Sequence, residues 1–169
     1  MLAIRLATWE DYERIMDIYH YVQDFMIRSG NPNQWGHWHP KEALIRSDIE
    51  AGVSRVLYDE EGVHGVFALI EGRDPTYAHI EGAWLNDDPY VTIHRIAGDG
   101  RRHGLLRCAV EYAKAYAPNI RVDTHADNLP MQRAIAGCGF RYCGVIYLPN
   151  FAPRIAYQWA AGAREEDQA

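Results

Sequence analysis

The chain has 169 residues, 48% of them hydrophobic and 24% charged, with a formal net charge of −6. That length suits one domain able to bury about 70% of its extended surface without disulfide or metal staples. The acidic balance argues against a nucleic-acid binder. The longest apolar run, Val66 to Ile70, falls far short of the ~20 residues of a membrane span. Arg5, Glu10 and Asp11 leave no apolar signal segment at the start, and three cysteines without a C-x-x-C spacing fit a reducing cytoplasm. Eleven tyrosines and five tryptophans must either pack or serve a site.

In chain order, Ile4 to Leu6 alternates as a short strand, and Thr8 with Asp11 three residues on reads as a helix cap. Tyr12, Ile15, Met16, Tyr19, Val22 and Met26 form one helical face, stopped by Ser29 to Pro32. A loop with Gln34, Trp35, His37, Trp38 and His39 precedes a second helix opened by Pro40 and closed by Gly52. Val53–Tyr58 and Val63–Ile70 read as a hairpin around the acidic turn 59–62, and Tyr77–Ile80 as a further short strand. Tyr90–Ala97 is strand-like, and residues 98–104 form a glycine loop before a helix carrying Leu105, Ala109, Tyr112, Ala113 and Tyr116. Ile120–Thr124 is the next strand. Asp127 or Asn128 caps a helix with Pro130 in its first turn, and Phe140–Leu148 and Arg154–Trp159 are the last strands. The expected fold is a single α/β domain over residues 1–161 with a polar tail at 162–169. A crossover helix between the strands at 90 and 120 requires that pair to be parallel within an otherwise mainly antiparallel sheet flanked by helices.

Gly98, Gly100 and Gly104 lie between strand and helix with Arg101, Arg102 and His103 beside them. Free helix amides, the helix dipole and two guanidinium groups make such a loop an anion cradle. A plain strand-to-helix turn with solvated arginines is the alternative. The loop is neither a Walker nor a dinucleotide-binding fingerprint.

Taken together, the element order, Arg101-Arg102-His103-Gly104 opening a helix, and Asn128 followed by Gly139-Phe140 resemble the GNAT superfamily of N-acetyltransferases over nearly the whole chain. The runs 94–97, 121–125, 139–144 and 154–157, with Gln34-Trp35, resemble a bacterial subgroup of it. The resemblance implies a single-domain fold with a central parallel, splayed strand pair, acetyl-CoA as acyl donor, no metal, and a homodimer as a common assembly. It assigns Arg95, Ile96 and Ala97 to the pantetheine arm, Arg101, Arg102, His103, Gly104 and Leu105 to the pyrophosphate, and Asn128 to the arm. The family motif departs at Leu106, where a small residue is the rule, and at Ile135, where many relatives carry an acidic-role tyrosine.

Amine acetylation needs a base, an oxyanion donor and, in many relatives, an acid. His94 on the central strand and His125 at the end of the next are alternative bases, and Asp123 falls on the same strand face as His125. Tyr142, Tyr147 or Tyr157 can serve as acid, with Tyr147 taken forward, unless none is needed. Trp35, Trp38 and Glu81 are expected around the acceptor, where they suit a cationic small-molecule amine. His37 and His39 read as solvated loop histidines rather than metal ligands. Cys108, Cys138 and Cys143 read as small buried hydrophobes. The reading is an acetyl-CoA-dependent N-acetyltransferase in the cytoplasm, without nucleic-acid or membrane partners. An acyl-CoA sensor without turnover, or a peptide acetyltransferase, are the rivals.

Overall fold

The computed structural model describes residues 1–163. Of the expected tail at 162–169, residues 164–169 lie outside the described residues. The strands are β1 (Ala3–Leu6), β2 (Ser54–Asp59), β3 (Gly62–Glu71), β4 (Glu81–Gly82), β5 (Tyr90–Gly98), β6 (Asn119–Thr124), β7 (Arg141–Tyr147) and β8 (Pro153–Ala160). The α-helices are α1 (Tyr12–Arg28), α2 (Glu42–Glu50), α3 (Leu105–Ala113) and α4 (Leu129–Gly137). One eight-stranded sheet runs β1-β2-β3-β5-β6-β8-β7-β4. Only β5 and β6 pair in parallel, as a crossover through α3 demands.

Alternation along the strands divides the core into two faces. Val56 and Val66 turn towards α1 and α2, against Ile15, Ile18, Val22 and Ile45. Leu57 and Phe67 turn the other way, against Leu106, Ala109, Val110 and Ile135 of α3 and α4. Thr8 and Asp11 form the expected cap, the Thr8 N–H donating to the Asp11 carboxylate at 2.9 Å, before a single 3₁₀ turn that leads into α1. Asn128 caps α4, its side chain accepting from the Met131 N–H at 3.2 Å.

Two elements differ from the sequence reading. Tyr77–Ile80 is not a strand. Asp74 accepts from the Thr76 N–H at 2.9 Å, Pro75 fixes the chain into a 3₁₀ turn over Pro75–Tyr77, and the short strand β4 follows at Glu81. Pro40 lies before α2 rather than in its first turn, which begins at Glu42 with Lys41 as the capping residue.

Candidate active site

The site forms where β5 and β6 part. Their ladder holds only at Tyr90–Asn119, Val91–Ile120 and Thr92–Arg121. Beyond it β6 stays on β8 and β5 stays on β3, so the facing edge of β5 has no strand partner over its last six residues, 93–98. Phe67 of β3 lies opposite both Arg95 and Ile96, a bulge that carries Arg95 to φ 54 and bends the strand away from β6. Tyr19 of α1 donates its hydroxyl to the Arg95 carbonyl at 2.9 Å, and the Arg95 guanidinium is held by both oxygens of Asp48, at 2.9 and 3.0 Å. Backbone groups left open along such an edge need partners from elsewhere.

Two cavities flank the gap. A groove of about 370 Å³ runs between α1, the end of β5 and α4, lined by Tyr21, Phe25, Ala97, Gly98, Pro130 and Ala134. A deeper cavity of about 520 Å³ is lined by His94, Asp74, Asp123, Arg154, Trp35 and His39, among others. Met26, Ile96, Asn128 and Met131 border both, so the two meet at the gap.

The glycine loop closes the outer end of the groove. Gly104 stands at the start of α3 with φ 75, a left-handed conformation that glycine adopts without strain. The N–H groups of the first helical turn have no partner within the helix and face anions favourably. Asp99 accepts from the Arg101 N–H at 2.9 Å, meets His64 Nδ1 at 2.9 Å and takes the Arg14 guanidinium. His64 Nε2 reaches Asp59 at 3.0 Å, and Asp59 accepts from Arg102 Nε at 2.7 Å. The Arg102 guanidinium beside Asp59 holds that carboxyl down at about 2. A second acid, Glu61, lies 3.0 Å from Arg102 Nη2. Arg102 is thus bound to the β2–β3 hairpin and also lines the groove, where the sequence reading expects both guanidinium groups to meet an anion. Arg101 and His103 are exposed at the loop surface. Leu106 packs into the core rather than over the loop.

His94 lines the deeper cavity, its Nε2 2.7 Å from Asp74 Oδ2. Asp74 Oδ1 accepts from the Thr76 N–H at 2.9 Å and the Thr76 hydroxyl at 2.7 Å. Burial works to raise the Asp74 carboxyl, but the bonds to His94 and Thr76 outweigh it and hold it at about 2. An ionised carboxylate only accepts, so Nε2 carries a proton, and in a neutral ring the lone pair lies on Nδ1. Tyr77 packs its ring 6.0 Å from His94 and donates its hydroxyl to Asp123 at 2.6 Å. Burial, then the Asp123 charge, push the Tyr77 hydroxyl well above its ordinary value.

Several expected site residues stand elsewhere. His125 lines neither cavity: its Nδ1 accepts from the Asp127 N–H at 3.0 Å, and Asp123 is bonded to Tyr77 rather than to His125. Burial, then Arg154, lowers the His125 ring below its usual value. Tyr147 donates to Glu81 at 2.9 Å, and neither lines a cavity, because β4 and β7 pair at the far edge of the sheet. Tyr142 is 62% exposed, and Tyr157 is buried beside it. Ile135 is buried and contributes to the lining of the deeper cavity. Trp35 and Trp38 do line the deeper cavity; Trp35 packs edge-on to Tyr19 and His39, and Trp38 is 80% exposed at the mouth. His39 is not a solvated loop histidine. It is half-buried, and burial, then the charges of Arg95, Arg154 and His94, push it down to about 4.

The sequence reading assigns no site role to Asp74, Gln34 or Arg154. Asp74 precedes a proline in a stretch without periodicity. Gln34 joins distant parts of the site: its side chain accepts from Asn128 at 2.8 Å and Asn31 at 2.7 Å, and its carbonyl accepts from Arg154 at 3.1 Å. An arginine in an alternating terminal strand carries no local signal of burial. No group of three or more metal-ligating residues is arranged for a metal, and no helix is long and apolar enough to cross a membrane, among the described residues.

A sheet split at its parallel pair, with a glycine loop at a helix start beside the split, matches the fold that the resemblance to the GNAT superfamily implies. A solved GNAT-family acetyltransferase from Streptococcus agalactiae is 31% identical to this chain, with a TM-score of 0.84 over 94% of this chain and 95% of that one. A GNAT-family acetyltransferase from Listeria monocytogenes is 20% identical, with a TM-score of 0.70 over 94% of each. A Bacillus subtilis acetyltransferase solved in complex with CoA is 16% identical, with a TM-score of 0.62 over 95% of this chain and 99% of that one. No protein-family profile and no curated protein sequence matches the chain. The chain belongs to the GNAT family of acetyltransferases.

Proposed function

We propose that the protein transfers an acetyl group from acetyl-CoA to the primary amine of a small molecule, in the cytoplasm. The observation that carries this reading is the His94–Asp74 pair, lining a cavity that opens onto the gap between β5 and β6. Acetyl-CoA bound there would supply an activated thioester.

The residues present fit such a donor. The unpaired edge of β5 beyond Thr92 offers backbone donors and acceptors to an amide-rich arm. The open helix start at Gly104, with Arg101 exposed beside it, suits a pyrophosphate. Asn128 spends its oxygen on the α4 cap and one N–H on Gln34, which leaves one N–H for the arm. His94 Nδ1 takes the proton from the incoming ammonium, and Asp74 steadies the charge the imidazole then carries. The Tyr19 hydroxyl is committed to Arg95 and that of Tyr77 to Asp123. A thiol ionises near pH 8.5, so a leaving thiolate needs no tyrosine. Binding without turnover is the rival, motivated by Ile135 buried at the position of the family's tyrosine. A homodimer is a further proposal from family resemblance, which sedimentation tests.

The reading is tested by thermal shift and thiol release with acetyl-CoA across polyamines, amino acids, aminoglycosides and peptides. Stabilisation with amine-dependent thiol release supports it. Stabilisation with silence across the panel favours the rival, and no stabilisation sinks both.

A further inference from the structure

Among the described residues, the charges lining the deeper cavity are held in ion pairs except for Asp123, which accepts only the Tyr77 hydroxyl, and Arg154. Asp74 is bonded to His94, and Arg95 to Asp48. Arg154 of β8 is only 7% exposed and lines the same cavity. Its guanidinium donates to two neutral acceptors, the Pro153 carbonyl at 2.9 Å and the Gln34 carbonyl at 3.1 Å. It forms no ion pair with any carboxylate among the described residues. Asp123 is the one acid whose field reaches it, and that carboxylate already accepts the Tyr77 hydroxyl. Of five guanidinium N–H groups, three remain without a protein acceptor.

A buried charge with unused donors on the wall of a cavity is costly unless a ligand brings the opposite charge. The histidines around it cannot do so, since His39 and His125 are neutral or cationic, never anionic. Aromatic walls from Trp35 and Trp38 leave room for an apolar side chain.

We propose that the acceptor is a small amine that also carries a carboxylate, an α-amino acid in its simplest form, with the carboxylate on Arg154 and the amine at His94. This replaces the cationic acceptor expected from Glu81, which stands outside the cavity, and it rests on the acetyltransferase reading for the role of the amine. The Gln34 carbonyl fixes the guanidinium in place, so Arg154 is a specificity determinant rather than a participant in the chemistry.

The test compares matched pairs on the wild-type protein: L-phenylalanine with phenethylamine, and L-leucine with isoamylamine. Calorimetry on the protein saturated with CoA, which cannot react, reads acceptor binding alone. Loss of a charged hydrogen-bond pair corresponds to roughly 10- to 100-fold in affinity. The proposal expects each amino acid to bind at least about tenfold more tightly than its decarboxylated partner, and Arg154→Gln to erase that preference while leaving CoA affinity unchanged. Arg154→Lys, which keeps the charge, should restore part of it. Equal binding within the pairs, tighter binding of the bare amines, or no binding of either overturns the proposal, whether or not the variants fold. Binding of the amino acids with no thiol release on acetyl-CoA leaves the acceptor class standing and overturns the acetyltransferase reading instead.

Discussion

The groove beside α1 and the cavity around His94 meet at the same gap, yet they are built from different materials. The groove consists of backbone edge, helix start and apolar side chains such as Phe25, Ala97 and Pro130. The cavity adds charged and aromatic side chains from five separate parts of the chain, at Trp35, Asp74, His94, Asp123 and Arg154, to an aliphatic lining that includes Ile93, Val122, Ile135 and Leu148. A surface of main-chain amides serves one invariant partner. A surface of side chains can be changed residue by residue to suit another. On the proposed reading, the constant donor takes the groove and the variable acceptor the cavity.

Substitutions on each side should therefore fail differently. His94→Ala should lower kcat/KM by about 10²- to 10⁴-fold with acetyl-CoA affinity unchanged, read by steady-state thiol release and calorimetry. Asp74→Asn keeps the size of the side chain but lets Nδ1 take the proton, and should cost on the order of 10²-fold in kcat. Since the bonds to His94 and Thr76 hold the Asp74 carboxyl at about 2, the wild-type rate between pH 5 and 9 should show no titration of this carboxylate. On the groove side, Gly104→Val forces a β-branched residue to φ 75 and should destabilise the loop by roughly 1–3 kcal/mol. The expected sign is loss of the thermal shift by acetyl-CoA, with KM rather than kcat carrying the defect.

A smaller effect concerns stability. His39 titrates at about 4 in the folded chain against 6.5 in the unfolded one, so unfolded chains bind the extra proton between those values. The stability held above pH 6.5 is lost as pH falls towards 4, on the order of 1–3 kcal/mol, and His39→Gln should flatten that slope in urea melts. Least affected of all, Tyr147→Phe and Glu81→Gln should change turnover by less than about twofold, because their bond lies at the far edge of the sheet.

The same contrast explains what was legible in the sequence. The groove could be read because its signals are local: Gly104 before an amphipathic helix, Asn128 two residues before Pro130, and a crossover that forces β5 and β6 to be parallel. The pairing of His94 could not. Asp74 lies twenty residues away in a turn made by Pro75 and Thr76, where no period marks the side chain's direction. His125 and Asp123 do share a strand spacing, but Tyr77, folded back from a 3₁₀ turn mistaken for a strand, takes the carboxylate first. Tyr147 as an acid and Glu81 beside the acceptor are expectations from residue type, and the strand order puts both towards the sheet's edge.

The central claim is that His94, held by Asp74, takes the proton of an amine acetylated from acetyl-CoA. Mass spectrometry of products formed from isotopically labelled acetyl-CoA and the amine panel tests it directly, run in parallel on the wild-type protein and His94→Ala. The account predicts a labelled acetylamine from the wild type and at least about a hundredfold less from the variant, with both proteins binding acetyl-CoA equally. No labelled product at saturating donor, or an undiminished yield from His94→Ala, would contradict it.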